Sequence, residues 1–277
     1  MSTKAAIPEH NTTSGPVLEA PLPQDVLQEL YGTMLKARMV ARRLRMANAI
    51  GEAIISGSLH NAVQPDVVVS AEANPVLDIL TGAELASFVG KQNEGPSVRE
   101  ANVVVAEPGS FAGVAAGLAI ASLRTGADAV VLAFAAGKAT RGAAFAEATD
   151  YAAKNRLPII FLADWTAARA SSRNHDGREL SHWPLPTIAV DGRDVIAVYR
   201  VTKEAIGAAR RGHGPTLVDC VNFLAPGGRG RDERDPLAAY RGYLQRHNAW
   251  SDAWHEELLA RQKQEIGTAR RTSNSRE

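Results

Sequence analysis

The chain has 277 residues, 45% of them hydrophobic and 22% charged, enough for one large α/β domain or two small ones. A formal net charge of +1 provides no global field to draw it to nucleic acid or to an anionic membrane. The lone cysteine, Cys220, excludes a disulfide framework or a thiolate metal cage within one chain. No stretch approaches the roughly 18 apolar residues that a membrane span needs.

Residues 1–23 are rich in Pro, Ser, Thr and Asn and have no basic start followed by an apolar core. They read as a disordered or draped arm, not a secretory signal, and the expected location is the cytoplasm. From residue 24 to 46, Leu27, Leu30, Met34, Val40 and Leu44 recur at helical spacing. Asp25 in the first turn and Arg42, Arg43 and Arg45 in the last oppose the helix dipole favourably. Residues 50–100 are harder to read. Asp66 to Ser70 is a candidate buried strand, and Thr81 to Lys91 a short helix with Thr81 as N-cap and Glu84 three residues on.

Beyond residue 101 the pattern is regular. Apolar runs at Asn102–Ala106, Ala127–Phe134, Leu157–Ala163, Ile188–Asp191 and Pro215–Phe223 alternate with helical stretches. Those stretches are Ser110–Thr125, Lys138–Arg156 and Asp194–Arg211, the second with Phe145, Ala148, Tyr151 and Ala152 on one face. Strands that are apolar throughout and alternate with helices imply a parallel sheet covered on both faces. Right-handed crossovers then align the strand C-termini along one edge, where ligands bind. Abundant alanine and only 5% aromatic residues fit close helix-on-sheet packing. The fold class expected is α/β, a doubly wound parallel sheet with helices on both faces. Residues 226–236 read as a loop, followed by helices near 236–247 and 251–266. The expected organisation is a single domain over 24–267 and a frayed tail over 268–277.

Several segments resemble a known family. Leu30-Tyr-Gly-Thr-Met-Leu-Lys-Ala-Arg38 is similar to its first long helix. Phe145 to Phe161, Val190-Asp-Gly-Arg-Asp-Val-Ile-Ala-Val-Tyr199 running on to Gly214-Pro-Thr-Leu-Val-Asp219, and Trp250-Ser-Asp-Ala-Trp254 follow in the family's order. The family is the α subunit of the E1 component of thiamine-diphosphate-dependent 2-oxo acid dehydrogenases, of the pyruvate and branched-chain type, and the chain resembles a divergent member. The resemblance implies a thiamine-diphosphate-binding fold and a cofactor of thiamine diphosphate with Mg²⁺. It also implies a β-type E1 partner, self-association into an α₂β₂-like assembly, and a place beside a dihydrolipoyl acyltransferase. The reaction implied is oxidative decarboxylation of a 2-oxo acid with acyl transfer to a lipoyl arm, an oxidoreductase with a disulfide acceptor. The thiamine-activating Glu comes from the β partner.

In the family, Mg²⁺ and diphosphate are held by Gly-Asp-Gly at one strand end and Asn-Asn at the next, about 30 residues on, one βαβ step. Mg²⁺ demands hard oxygen ligands in near-octahedral geometry. Here the first position reads Ala135-Ala136-Gly137 and the second Trp165-Thr166, after Asp164. Ala136 and Trp165 therefore occupy the ligand positions, and the metal site of the family pattern is missing. Ser70-Ala71-Glu72 falls where the family has a Tyr-Arg diphosphate contact. Gly227-Gly228-Arg229 replaces a Gly-His, and the Ser-rich regulatory loop is shortened away. Vestigial cofactor-binding positions are Gly109, Gly137, Asp164 and Thr166. Asp164 and Thr166 either rebuild an oxygen site for Mg²⁺ or leave Asp164 to cap the turn that follows it.

Other candidates have bland counterparts. His175, Asp176, Glu179 and His182 form a metal or acid–base cluster or a solvated loop. Arg229, Arg231 and Arg234 grip a phosphate or pair with the interleaved Asp232, Glu233 and Asp235. Without aromatic stacking residues they do not suggest nucleic acid. His247 and His255 read as surface residues, and Cys220 as inert packing. Glu107-Pro-Gly109 opens a helix whose N-terminus favours anions, against the charge of Glu107. Three functional readings follow: a cofactor-free structural or regulatory E1 α-like subunit, an active divergent decarboxylating dehydrogenase, and a non-enzymatic binding module reusing the fold.

Overall fold

The computed structural model describes residues 22–46, 50–88, 103–166, 183–222 and 235–273. Six strands form one sheet: β1 Val67–Ser70, β2 Val103–Val105, β3 Val131–Ala136, β4 Ile159–Asp164, β5 Thr187–Asp191 and β6 Thr216–Val221. Their order is β2-β1-β3-β4-β6-β5 and every pairing is parallel. Chain direction across the sheet reverses between β1 and β3, where a doubly wound fold opens its crevice. The register pairs Ala136 with Asp164 and Asp164 with Cys220, so three strand ends lie level along one edge.

Period-two alternation divides the strands between two cores. Val68, Leu132, Phe134, Ile160, Leu162, Val218 and Cys220 face one side. They meet helices α1 Gln24–Arg43, α2 Glu52–Leu59, α3 Pro75–Leu80 and α6 Val195–Arg210. Val69, Val131, Ala133, Phe161 and Leu217 face the other side, against α4 Phe111–Thr125 and α5 Ala143–Lys154. A third cluster joins α1 and α6 to α7 Pro236–Arg246 and α8 Asp252–Ser273 through Leu30, Tyr31, Met34, Tyr199, Tyr240 and Leu258. At the amino end of the sheet, Asp66 accepts from Val130 N–H (2.9 Å) and pairs with Arg210 (2.6 Å), closing β1 and β3 onto α6.

The sheet and its principal helices stand where the apolar runs place them, but several local expectations need correction. The short helix expected from Thr81 is instead α3, six residues earlier. Asn74 caps it by accepting from Val76 and Leu77 N–H, and Pro75 occupies its first turn. Thr81 lies at its C-terminal end, its hydroxyl donating back to the Leu77 and Asp78 carbonyls. A 3₁₀ turn, Leu85–Phe88, follows, and the end of the expected helix, to Lys91, lies outside the described residues. The helix expected over Lys138–Arg156 is split into a 3₁₀ turn, Gly137–Thr140, and α5, with Gly142 at φ +127° between them. That angle is open to glycine and strained for other residues. Tyr151 is exposed, while Thr149 joins Phe145 and Ala152 on the buried face. The α2 helix was not expected. Residues Ala53 to Ser58 are all buried, so it has no polar face to mark a period. Its Gly57 lets it cross α6 closely, because a Cβ there would lie 2.9 Å from Tyr199 N and Val195 O. Finally, α8 continues to Ser273, past the point where polar composition predicts fraying.

Candidate functional site at the carboxyl edge of the sheet

The ends of β3 and β4 lie side by side. Asp164, the last residue of β4, is buried, and both its carboxylate oxygens are engaged within the chain. Oδ2 accepts from Gly51 N–H at 2.9 Å; Oδ1 accepts from Thr166 N–H at 2.7 Å and from the Thr166 hydroxyl at 2.6 Å. Gly51 is the N-cap of α2, so the carboxylate satisfies one of the unpaired donors at that helix start. Asp164 thus caps its own turn and also ties β4 to a helix 113 residues away. Thr166 packs between two glycines. A Cβ on Gly192 would lie 2.6 Å from its Cγ2, and one on Gly51 3.6 Å from its Oγ1.

Trp165 turns the other way. Its main-chain N–H donates to the Cys220 carbonyl at 2.9 Å. Its indole lies against Gly137 so closely that a Cβ on that glycine would overlap the ring; even Cε3 would be 2.6 Å away. The Arg141 guanidinium lies over the same ring, 4.7 Å from its centroid. Gly137 and Trp165 therefore meet face to face where the resemblance implies a metal ion between two oxygen donors.

These residues do not fit a bound Mg²⁺–diphosphate. Ala136 offers a methyl group, Trp165 an indole, and Asp164 oxygens that already accept from Gly51 and Thr166. Among the described residues there is no group of three or more His, Cys, Asp or Glu that could hold a metal ion. Ser70, at the implied Tyr-Arg position, is buried and donates its hydroxyl to the Glu72 carbonyl at 2.6 Å.

Of the four vestigial positions, Gly137, Asp164 and Thr166 come together. Gly109 does not; it is exposed in the connection after edge strand β2, with β1 between that strand and β3. The Glu107 carbonyl accepts from Ser110 and Phe111 N–H at 2.9 Å each, closing that turn on itself. His175, Asp176, Glu179, His182, Arg229, Arg231 and Arg234 lie outside the described residues. Cys220 is buried, and burial pushes its thiol pKa up, with the Asp164, Asp219 and Asp191 carboxylates adding to the shift. It is no nucleophile. His247 is exposed as expected, but His255 is half-buried against Tyr31 and Trp250, a correction to its reading as a surface residue.

Sequence reasoning missed Arg38. It extends from α1 to ion-pair with both Glu52, at the start of α2, and Asp235, the N-cap of α7. Burial works against its charge, but hydrogen bonds from the guanidinium to Asp235 and Glu52 outweigh that and raise its pKa. The same bond is the main cause holding the Asp235 carboxyl below its ordinary range, against the opposing effect of burial. These three residues, with Gly51, Thr166, Gly192 and Arg193, line a cavity of about 310 Å³ beside Asp164. A larger groove of about 590 Å³ between α1 and α8 contains none of the residues of this edge.

The fold and this edge define an α/β protein of the kind that seats ligands beyond the carboxyl ends of a parallel sheet. A family model described as "Dehydrogenase E1 component" matches residues 46–227, about two thirds of the chain, and the chain belongs to that family as an E1 α-like member. It is similar to the 3-methyl-2-oxobutanoate dehydrogenase subunit alpha of Mycobacterium tuberculosis, 33% identical over 171 residues, covering 54% of this chain and 47% of that one. Pyruvate dehydrogenase E1 component subunit alpha-3, chloroplastic, of Arabidopsis thaliana is 30% identical over 239 residues (70% and 55%). Pyruvate dehydrogenase E1 component subunit alpha of Staphylococcus aureus is 27% identical over 186 residues (59% and 50%). The chain spans about half the length of the curated relatives it matches. No helix among the described residues is long and apolar enough to cross a membrane.

Proposed function

We propose that this chain is an E1 α-like subunit of a 2-oxo acid dehydrogenase that no longer holds Mg²⁺ and the diphosphate of thiamine diphosphate, and so serves a structural or regulatory role. It works in the cytoplasm in an α₂β₂-like assembly with a β-type E1 subunit, beside a dihydrolipoyl acyltransferase. The observation that carries the reading is the pair of strand ends, where the Trp165 indole covers Gly137 and Asp164 is committed to Gly51 and Thr166. No step of the 2-oxo acid reaction is assigned to this chain's side chains.

An exposed helix face supports the assembly. The outer face of α4 carries Gly113, Gly117 and Ala121, with Leu123 56% exposed, and a Cβ on either glycine would meet nothing within 4 Å. Small residues in a row let another helix approach closely, and an exposed apolar surface of this kind suits a protein partner. The test is calorimetric titration of the co-expressed α-like and β-type subunits with thiamine diphosphate and Mg²⁺. The expected outcome is co-purification of the two subunits and no binding heat at this chain's site up to millimolar ligand. Saturable heat abolished by Asp164→Asn would overturn the loss of cofactor, and failure of the β-type subunit to co-purify would overturn the assembly.

A further inference from the structure

Trp165 has a more definite role than occupying a lost ligand position. Its ring meets two separate parts of the chain. On one side is the Gly137 backbone, which only a residue without a Cβ permits. Arg141 also lies over the ring, presented by a turn that Thr140 closes by donating its hydroxyl to the Gly137 carbonyl at 2.6 Å. The backbone that carries the ring is fixed as well: the Trp165 main-chain N–H donates to the Cys220 carbonyl, and both flanking residues are pinned, Asp164 to Gly51 and Thr166 to Asp164. A cation over the face of an indole is attracted by the ring's quadrupole, so the stack carries both shape and charge.

We propose that the Trp165 indole, stacked under Arg141, is an intramolecular ligand of the sheet edge. It plugs the space between the β3 and β4 ends and holds that edge closed without any bound cofactor. This rests on the reading that the chain has lost its cofactor and gives that loss a positive counterpart. In a subunit that depends on a bound group, the edge is completed by the ligand. Here it is completed by the chain, so the cofactor-free protein is the fully folded one.

The test uses thermal unfolding of the full chain with indole as the probe. Trp165→Gly leaves a ring-shaped opening beside Gly137, and an apolar opening of that size accepts a matching small aromatic molecule. Unfolding of that variant is expected about 5–10 °C below wild type, from the cost of removing a large, partly buried side chain. Indole at millimolar concentration should recover at least half of that shift in the variant and leave wild type unmoved. Adding Arg141→Ala to the glycine variant should weaken the recovery, because the guanidinium holds the ring; simple packing would not need it. A glycine variant that unfolds with wild type, or that indole does not stabilise, overturns the plug. Should that variant fail to fold, the Trp165 emission is taken as the difference between wild type and Trp165→Phe. Insensitivity of that emission to Arg141→Ala then overturns it. Binding of thiamine diphosphate with Mg²⁺ by wild type would defeat the lost-cofactor reading separately, since the indole recovery does not depend on that measurement.

Discussion

Replacing Asp164 with alanine separates a structural carboxylate from a metal ligand. The side chain accepts three hydrogen bonds at 2.9, 2.7 and 2.6 Å, two of them from backbone N–H groups. A hydrogen bond to a charged group contributes roughly 1.5–3 kcal/mol, and a buried N–H left without a partner costs about 1–3 kcal/mol. The three bonds share one carboxylate and are not additive, and water can reach part of the vacated space. A net loss of about 3–4 kcal/mol is therefore expected for Asp164→Ala. Asp164→Asn should lose about half as much, because its amide places an NH₂ opposite one of the N–H donors. Thr166→Val, which removes only the hydroxyl bond, should lose about 1 kcal/mol. The assay is urea unfolding at pH 7.5 with linear extrapolation, with and without 10 mM Mg²⁺. A structural carboxylate gives these losses in metal-free buffer and no Mg²⁺ dependence in wild type. An alanine variant within 1 kcal/mol of wild type in metal-free buffer, or a wild type that Mg²⁺ stabilises and the variant does not, would refute the assignment.

Asp78 is buried in α3 with Oδ1 lacking a hydrogen-bond partner among the described residues, and burial raises its pKa to about 6. The folded form therefore holds its proton more tightly than the unfolded chain. The resulting stabilisation is complete below about pH 4 and is lost as pH rises through about 6, a change of order 3 kcal/mol. Asp78→Asn should remove that slope and unfold at a higher temperature than wild type at pH 7.5; an unchanged slope between pH 4 and 7 would count against it. Restoring the family's donors with Ala136→Asp and Trp165→Asn should create a Mg²⁺-dependent rise in unfolding temperature that wild type lacks, and a double variant indifferent to Mg²⁺ would locate the loss elsewhere.

The sheet was legible because parallel strands buried on both faces are apolar without interruption, as in Val131 to Ala136 and Ile159 to Ala163. The elements that escaped lack that kind of signal. Buried all round, α2 shows no stripe, and α3 is six residues long with its cap at Asn74, where Thr81 offered an equally plausible start. At the site, Ala136 and Trp165 were visible as departures from a motif. The use made of Asp164 was not. Its partner Gly51 is 113 residues away, and a carboxylate has the same sequence signature whether it meets a metal or an N–H. Arg38 was hidden for a similar reason. One arginine among several in an amphipathic helix is marked only by Glu52 and Asp235, both distant in sequence.

The substitutions at the two strand ends are physically one change. Ala136 and Asp164 are partners in the β3–β4 register, and partners in a parallel pair project their side chains to the same face. An aspartate at 136 would set a second carboxylate beside Asp164, with two negative charges a few ångströms apart at a partly buried edge. A divalent cation between them makes that arrangement favourable; without one, like charges facing each other across strands are destabilising. In the proposed cofactor-free subunit, Asp164 accepts from Gly51 and Thr166, Trp165 covers Gly137, and no cation offsets that repulsion. A small neutral residue at 136 is then the one that sets no second carboxylate beside Asp164 and leaves its hydrogen bonds intact. By this argument the alanine adapts the edge to a carboxylate already committed to the fold, and the indole beside it covers Gly137.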